Sequence, residues 1–265
     1  MVTLMIEEVA EFLKIYNQRP IPRNKGGMGL NHSFALWRAL RAVRPALVAE
    51  SGVFRGHSTW MIRQALPDCA IFAFDVDFTN RVYVDPHATY VESDFRDFDW
   101  SACRSEGPWL AFFDDHHNHL ERLKSAFWFG FSYALLDDNY PPGEGDCYSL
   151  RHMAAGVGMP SLELSREHLG SQVQQRARSM LEGLLWKQYW HQSRLVRANR
   201  HDYASILRRT KSITELAPLW LDDTSVCGRP SSDFDPPPPP AVLGSRLEGD
   251  YDYGYNFMTL VEFER

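Results

Sequence analysis

A chain of 265 residues is long enough for one elaborated α/β domain, since domains of that class often exceed roughly 200 residues. Hydrophobic residues make up 44% of it and charged residues 23%, which is ordinary for a soluble globular protein with a sizeable core. The net charge of −6 argues against general nucleic-acid binding, because nucleic-acid-binding surfaces are usually basic, and it favours a small-molecule partner.

The cysteines and the N-terminal segment predict a cytoplasmic protein. Cys69, Cys103, Cys147 and Cys227 are far apart and form no CxxC pair, which is typical of free thiols in a reducing compartment. Residues 1–16 mix acids into their apolar positions and lack the basic flank and unbroken apolar stretch of a signal peptide. No segment is apolar for long enough to span a bilayer, so no membrane partner is expected.

Predicted helices and strands alternate through the first half of the chain. Apolar residues at helical spacing predict helices at 2–17, 34–43, 57–66 and 119–130, the second with Ser33 as its N-cap. Short apolar runs predict strands at 46–50, 70–77, 88–94, 108–115 and 131–139. This alternation predicts a Rossmann-like, doubly wound α/β fold with a mostly parallel sheet and helices on both faces. Right-handed crossovers then place the carboxyl ends of the strands at one edge.

The alternation fades after Asn139. Residues 164–196 are predicted to be largely helical, and the five prolines at 236–240 favour extended polyproline II, which we interpret as a surface spacer. Residues 255–265 are predicted to form a late strand that returns, antiparallel, to the edge of the sheet. We predict a single domain over 1–265, composed of a core at 20–140, a helical and proline-rich elaboration at 141–250, and a final strand at 251–265.

Each predicted strand of the parallel sheet ends at a carboxylate. The acids at these ends are Glu50, Asp75 with Asp77, Asp94, Asp114 with Asp115, and Asp137 with Asp138. Ligands of open parallel sheets bind outside the carboxyl ends of the strands, so these side chains are expected around one site. Acids gathered together repel one another and lose solvation, and a positive group or a set of hydrogen-bond donors is needed to offset that cost.

Two glycines follow the first strand in the segment ESGVFRGHST, residues 50–59. Gly52 lets the backbone turn sharply, and Gly56 lets the next helix approach closely, so that its N-terminal N–H groups can hold an anion. A nicotinamide dinucleotide would favour GxGxxG, whereas the spacing is GxxxG. Glu50 suits a ligand with a cationic group, and Asp75 is placed to accept hydrogen bonds from ribose hydroxyls. A nucleoside with an ammonium and a carboxylate fits this arrangement, and S-adenosylmethionine (SAM) is such a molecule.

These motifs, taken in order, resemble those of class I SAM-dependent methyltransferases. The likeness covers the predicted core, which it marks as cofactor-binding, and consists of ExGxxxGxST after the first strand and the acids that end the second and third strands. The resemblance implies that Gly52 lies against the methionine part of SAM and that Ser58 binds its carboxylate. It also implies that Asp75 binds the ribose and that Asp94, with Phe95, binds the adenine edge.

A closer likeness is to metal-dependent O-methyltransferases of the catechol type. LLDDN at 135–139 is similar to the motif that binds Mg²⁺ through an aspartate and the next asparagine, and FFDDHH at 112–117 is similar to the motif that supplies the other aspartate. The resemblance implies that Asp114, Asp138 and Asn139 hold Mg²⁺, a metal that prefers hard oxygen ligands.

The resemblance also implies a catalytic base at His117. The catechol-type group has a lysine three residues after the strand-four aspartate, and this chain has His117 there, which is a competent base near neutral pH. The DxxH spacing resembles a broader group of methyltransferases as well, which includes enzymes acting on sugars and antibiotics. Two alternatives for His116, His117 and His119 are a solvated helix start and a histidine-based metal site, although adjacent residues point to different faces of a helix.

The sequence therefore favours a SAM-dependent methyltransferase that acts on a hydroxyl of a small molecule with the help of Mg²⁺. One alternative is a non-catalytic interaction protein on the same scaffold, which the proline run and the Trp-rich helical region would serve. Another is an NAD-dependent oxidoreductase, against which the missing GxGxxG counts. Residues 141–235 are expected to select the acceptor, and the sequence leaves open a homo-oligomer. The register also leaves open which acid of the pairs 114–115 and 137–138 is functional.

Overall fold

The computed structural model of the chain describes residues 2–141, 147–155, 203–217, 219 and 257–265. The predicted helical region at 164–196 and the proline run at 236–240 lie outside the described residues. Within them, Cys69, Cys103 and Cys147 carry free thiols, and no helix is both long and apolar enough to cross a membrane.

A seven-stranded sheet organises the described residues, in the order β3-β2-β1-β4-β5-β7-β6. Its strands are β1 (Leu47–Ser51), β2 (Ala70–Asp75), β3 (Ala88–Glu92), β4 (Trp109–Phe113), β5 (Tyr133–Leu136), β6 (Thr210–Glu215) and β7 (Thr259–Phe263). The first five strands pair in parallel, whereas β7 is antiparallel to β5 and β6 is antiparallel to β7. The predicted Rossmann-like, mostly parallel sheet with an antiparallel late strand is thereby confirmed.

The predicted position of the late strand at the sheet edge is wrong. Among the described strands, β6 lies at the edge beyond β5, and β7 lies between β6 and β5. The six residues of β6, TKSITE, are mostly exposed and polar, because an edge strand with little cover needs no apolar run. An amphipathic pattern that finds buried strands therefore passes over β6.

The α-helices with defined bounds among the described residues are α1 (Val2–Tyr16), α2 (Leu30–Val43), α3 (His57–Ala65), α4 (His119–Phe129) and α5 (Leu150–Ala155). Helix α2 begins earlier than predicted, with Gly29 and not Ser33 as its N-cap. The Ser33 hydroxyl lies inside the first turn and donates back to the Gly29 carbonyl oxygen at 2.7 Å. Residues 30–33 are buried against the core, and this packing extends the helix past the predicted cap.

The helices cover both faces of the sheet, as a doubly wound fold requires. Along β1, Val48 packs in the apolar cluster that holds α1, α2 and α3. Leu47 and Ala49 point to the opposite face and pack in the cluster that holds α4 and α5. Because both faces are buried, the central strands read as continuous apolar runs, which is why they were predictable.

The parallel pairing continues one residue past the strand ends. The backbone N–H groups of Gly52, Asp114 and Asp137 donate to carbonyl oxygens of the neighbouring strands at 2.9–3.0 Å. The first residues after β1, β4 and β5 therefore lie side by side. This is also where the strand order reverses around β1, which is the usual place for a ligand in this class of fold.

Gly52 permits the closest of these approaches. Its φ is +95°, and a Cβ built on it would lie 2.2 Å from the carbonyl oxygen of Asp114. No side chain fits such a gap, so this glycine serves both the turn after β1 and the contact with the end of β4.

We expect Gly52→Ala to lower the free energy of unfolding by about 3 kcal/mol or more, because a clash adds to the cost of the left-handed backbone. Gly130→Ala is the matched control, since Gly130 has a φ of +102° and open space around its Cβ position. That variant should lose only about 1–2 kcal/mol, the cost of a left-handed backbone for an L-residue. Urea denaturation of the two variants measures the difference, and equal losses would contradict the close approach.

Candidate functional site

A cavity of about 410 Å³ opens at the carboxyl edge of the sheet, beside the ends of β1, β2 and β4. This volume lies within the range of about 300–1,000 Å³ that is typical of small-molecule sites. The predicted site residues on its wall are Gly52, Ser58, Asp75, Asp94, Asp114 and His117. The predicted residues that are not on the wall are Glu50, Gly56, Phe95, Asp138 and Asn139.

Asp75, at the end of β2, holds the loop that follows β1. One of its carboxylate oxygens accepts hydrogen bonds from the backbone N–H groups of Val53 and Phe54, both at 2.9 Å. The other accepts from the N–H of Asp77 at 3.1 Å. A carboxylate offers about four acceptor positions, so one remains for a hydroxyl of a ligand in the cavity.

Glu50 is fully buried near the end of β1. Its Oε2 accepts from the hydroxyl of Thr59 at 2.6 Å. Burial raises the pKa of Glu50 to about 7, against the lowering effect of hydrogen bonds from Ser58 and Thr59, and the charge of Asp75 raises it further. A cation bound in the cavity would favour the ionised form of Glu50 and so lower its pKa. This effect does not require Glu50 to line the cavity.

Gly56 and Ser58 shape the start of α3. Gly56 is the N-cap, with a φ of +88°, and a Cβ on it would lie 2.5 Å from the carbonyl oxygen of Tyr83. Ser58 lies in the first turn, almost fully buried, and its position on the wall brings the positive end of the helix dipole to the cavity. This end of the cavity suits an anionic group.

Two buried acceptors on the wall, Asn24 Oδ1 and His57 Nδ1, lack a partner among the described residues. The Ser33 hydroxyl donates to the Gly29 carbonyl and therefore accepts from His57 Nε2, at 2.9 Å. Nε2 thus carries the proton and Nδ1 the lone pair. Burial, with a smaller effect of the Arg19 charge, lowers the pKa of His57 to about 3, so the ring is neutral. Both acceptors, which the sequence motifs did not indicate, suit a donor such as an ammonium group.

The acid that ends β3 and its neighbour occupy different environments. Asp94 lies on the cavity wall. The ring of Phe95 is fully buried and packs edge-on against Phe113, with ring centroids 5.1 Å apart, and against Trp100 at 5.2 Å. The side chain of Phe95 therefore anchors this part of the wall from the core side.

Arg122, in α4, supplies the positive charge that the gathered acids require. Its guanidinium donates to both oxygens of Asp94 at 2.8 and 2.9 Å, and it also lies 2.8 Å from an oxygen of Asp115. Burial by itself would raise the pKa of Asp94, but hydrogen bonds from Arg122 and Arg96 bring it far below its ordinary range. The sequence motifs did not indicate Arg122, because no local signal separates it from the other charged residues of the helix.

Asp115 has a structural role in the pair 114–115. It accepts from the Ser51 hydroxyl and, at 3.2 Å, from the backbone N–H of His117, besides its ion pair with Arg122. These contacts fix the turn that presents His117. Asp114 is thereby left as the member of the pair that faces the other acids.

Asp114, His116 and Asp138 form a group that could hold a metal ion. Each offers one ligand atom, and these atoms lie within 4.8 Å of one another. His116 Nδ1 is 3.0 Å from Asp138 Oδ2. Burial, followed by the negative charges of Asp137 and Asp138, raises the pKa of Asp114 well above its ordinary value. Asp137 is hydrogen-bonded to Asp114 and also lies 3.1 Å from the buried His32, whereas Asp138 is the member of its pair in the group.

Asn139, the third ligand expected for Mg²⁺, is engaged elsewhere. Its amide nitrogen donates to the hydroxyl of Thr259 at 2.9 Å, and its amide oxygen accepts from the backbone N–H of Arg151 at 3.0 Å. These contacts tie the end of β5 to β7 and α5. The group of atoms within 4.8 Å thus contains two of the residues that the resemblance implies, Asp114 and Asp138, and ligation by Asn139 stays a prediction.

The three histidines after β4 differ in their surroundings. The side chain of His117 is 54% exposed, lies on the cavity wall and places Nε2 4.0 Å from an Asp94 oxygen. His119 is buried, with Nε2 3.6 Å from the sulfur of Cys147, and burial lowers its pKa to about 4. Of the three, only His116 belongs to the group with Asp114 and Asp138. Only His117 is both exposed and on the cavity wall outside that group.

Comparisons with solved structures return methyltransferases, the family that the sequence motifs resemble. A candidate O-methyltransferase of Klebsiella pneumoniae aligns with 14% identity over 97% of this chain and 90% of its own, with a TM-score of 0.49. The O-methyltransferase TomG of Streptomyces achromogenes, involved in tomaymycin synthesis and solved with SAM, aligns with 12% identity over 98% and 90%, with a TM-score of 0.47.

Two structures of CmcI also align. The one with S-adenosylhomocysteine (SAH) has 20% identity over 40% of this chain and 59% of its own, with a TM-score of 0.35. The one with Mg and SAM has 15% identity over 86% and 69%, with a TM-score of 0.39. No family model and no curated protein sequence matches this chain. With TM-scores below 0.5 these likenesses carry no argument, and the function is argued below from the site.

We expect Arg122→Met to lower the free energy of unfolding by about 3–5 kcal/mol at pH 7, because it leaves two carboxylates without their buried partner. Asp94 has a lowered folded pKa, so its contribution is present above the unfolded value of about 3.9 and is lost as the pH falls through the folded value. The difference between wild type and variant should therefore be full above about pH 5 and shrink below about pH 4. Urea denaturation across this range measures it.

Arg96→Met is the matched control for this change. Arg96 also pairs with Asp94, at 3.0 Å, but its side chain is 46% exposed. An exposed pair contributes about 1 kcal/mol or less, so this variant should be close to wild type. If the two variants lose equal stability, Arg122 is not the compensating charge of the site.

Proposed function

We propose that this protein is a SAM-dependent methyltransferase that acts on a hydroxyl group of a small molecule. The observation that supports it best is the combination of groups around one cavity. The helix start at Ser58 suits the carboxylate of SAM, and the unpartnered acceptors of Asn24 and His57 suit its ammonium. The strand-end acid Asp75 suits the ribose, and Asp94 suits the adenine.

The chain's residues would bind the donor in an extended pose along the carboxyl edge. Ser58 and the N–H groups of the first turn of α3 would receive the carboxylate, and the lone pair of His57 Nδ1 the ammonium. Asp75 would use its remaining acceptor position for a ribose hydroxyl, and Asp94 would accept from the adenine amino group. When bound, SAM supplies a methyl group on a positively charged sulfur.

His117 would remove the proton from the acceptor hydroxyl. Its partly exposed ring is on the cavity wall, and Nε2 can accept that proton and pass it to solvent. The hydroxyl oxygen would bond to the methyl carbon as the carbon–sulfur bond breaks, so that SAH leaves with the sulfur electron pair. The ion pairs around Asp115 hold the turn of His117, so much of the acceleration would come from the fixed direction of attack.

Metal assistance by Mg²⁺ stays a prediction of the sequence. Asp114 and Asp138 fit two of its ligands, and when bound, a divalent cation supplies a charge that lowers the pKa of a nearby hydroxyl. No residue role above depends on it. A cytoplasmic location and a small hydroxyl acceptor are part of the same proposal.

Calorimetric titration with SAH tests the cofactor proposal. We expect wild type to bind and Asp75→Ala to bind about 10–100-fold more weakly, because a hydrogen bond to a charged group contributes about 1.5–3 kcal/mol. Asp77→Ala is the control, since the Asp77 carboxylate is used by the N–H and hydroxyl of Thr79 and should change binding little. Folded protein that binds NAD and not SAH would refute the proposal.

Replacement of the base tests the catalytic proposal. His117→Ala should lower methyl transfer about 10²–10⁴-fold, the usual contribution of a general base, while SAH affinity stays within threefold of wild type. Transfer of tritiated methyl groups from SAM to catechols, phenols and glycosides measures the rate. The exposed His87 lies off the cavity wall, so His87→Ala should retain full activity. Unchanged turnover in His117→Ala would rule out this base.

A further inference from the structure

We propose that the group formed by Asp114, His116 and Asp138 binds a divalent transition-metal ion, such as Zn²⁺, Mn²⁺ or Co²⁺, in preference to Mg²⁺. The ion would be held by one histidine nitrogen and two carboxylates. It would lie next to the cavity of the proposed function, but its binding requires neither SAM nor turnover, so the two proposals can fail separately.

The spacing of the ligand atoms matches that of a metal centre. With metal–ligand distances of about 2.0–2.2 Å, neighbouring ligand atoms lie about 2.9–3.4 Å apart. His116 Nδ1 and Asp138 Oδ2 are 3.0 Å apart, and one oxygen of Asp114 lies within 4.8 Å of both. Small side-chain rotations would complete three ligands around one ion.

The backbone directs His116 into this group. It has a φ of +53°, a left-handed conformation that is uncommon for any residue except glycine. The next residue, His117, directs its ring to Asp94 instead, so the two adjacent histidines serve different parts of the edge. The conformation of His116 thus separates a metal ligand from the proposed base.

Asn139 does not compete with His116 for the third position. Both polar atoms of its amide are engaged, by Thr259 and by the backbone of Arg151, and these bonds connect β5 to two other elements. Turning the amide toward Asp138 would break both bonds inside the core. The imidazole of His116 is about half exposed and already touches Asp138, so it reaches the ion at lower cost.

The donor set decides the class of metal. Mg²⁺ is held mainly by oxygen atoms, whereas an imidazole nitrogen suits Zn²⁺ and other first-row transition metals. Two carboxylates balance the charge of a divalent ion, and the repulsion among Asp114, Asp137 and Asp138 is relieved when one binds. Asp114 and His116 lie on the cavity wall, so the remaining positions of the ion would face the cavity.

Electron spin-echo spectroscopy of bound Mn²⁺ tests directly whether the imidazole of His116 coordinates the ion. The full-length protein is freed of metal with EDTA and titrated with Mn²⁺ in the absence of SAM. We expect a ¹⁴N coupling from a coordinated imidazole in wild type, its loss in His116→Ala, and affinity at least 10-fold weaker in that variant. His117→Ala is the matched control and should keep both the coupling and the affinity.

A second variant tests the metal preference while keeping the left-handed backbone at position 116. Asparagine tolerates the left-handed conformation, so His116→Asn should keep the fold, replace nitrogen by oxygen and narrow the preference for Zn²⁺ over Mg²⁺ at least 10-fold in competition titrations. The melting temperature of each metal-free variant confirms folding.

The proposal is overturned if wild type shows no ¹⁴N coupling, if the coupling survives in folded His116→Ala, or if Mg²⁺ binds as tightly as Zn²⁺. Calorimetry with SAH on the metal-free protein is the separate arm for the proposed function. Metal binding through His116 without SAH binding would support the metal site and refute the proposed SAM-dependent function.

Discussion

The site depends on the compensation of negative charge at the carboxyl edge of the sheet. Arg122 forms ion pairs with Asp94 and Asp115, and with a nearly buried side chain it is the strongest of these compensations. The other acids use weaker means: Asp75 accepts backbone N–H groups, and Asp137 pairs with His32. Of these acids, Asp75, Asp94 and Asp115 lie on the cavity wall, where their contacts fix their positions.

Two acids of the edge, Glu50 and Asp114, have raised pKa values. Burial raises the pKa of Glu50, and burial together with neighbouring carboxylates raises that of Asp114. The first lies behind the proposed SAM site and the second within the proposed metal site. Gly52, two residues after Glu50, lies against the backbone carbonyl of Asp114, so the two proposed sites are neighbours along the edge.

The sequence predicted the parts of the fold that depend on burial. The central strands are apolar on both faces, and the glycines and acids at their ends follow from the turn after each strand. It did not predict β6, whose exposed polar residues carry no such pattern, or the start of α2, where packing prevailed over the capping preference of Ser33. Six of the predicted site residues lie on the cavity wall: Gly52, Ser58, Asp75, Asp94, Asp114 and His117.

The sequence by itself determined that five strands would end in acids at a common edge, since strand periodicity and right-handed crossovers are local and general rules. Only the tertiary structure decided which side chains meet there. Arg122 reaches the edge from α4. The hydrogen bond with Ser33 in α2 sets the tautomer of His57, and Asn139 donates to Thr259 in β7. Contacts between residues far apart in the chain depend on how the elements pack, and spacing along the chain carries no record of that packing.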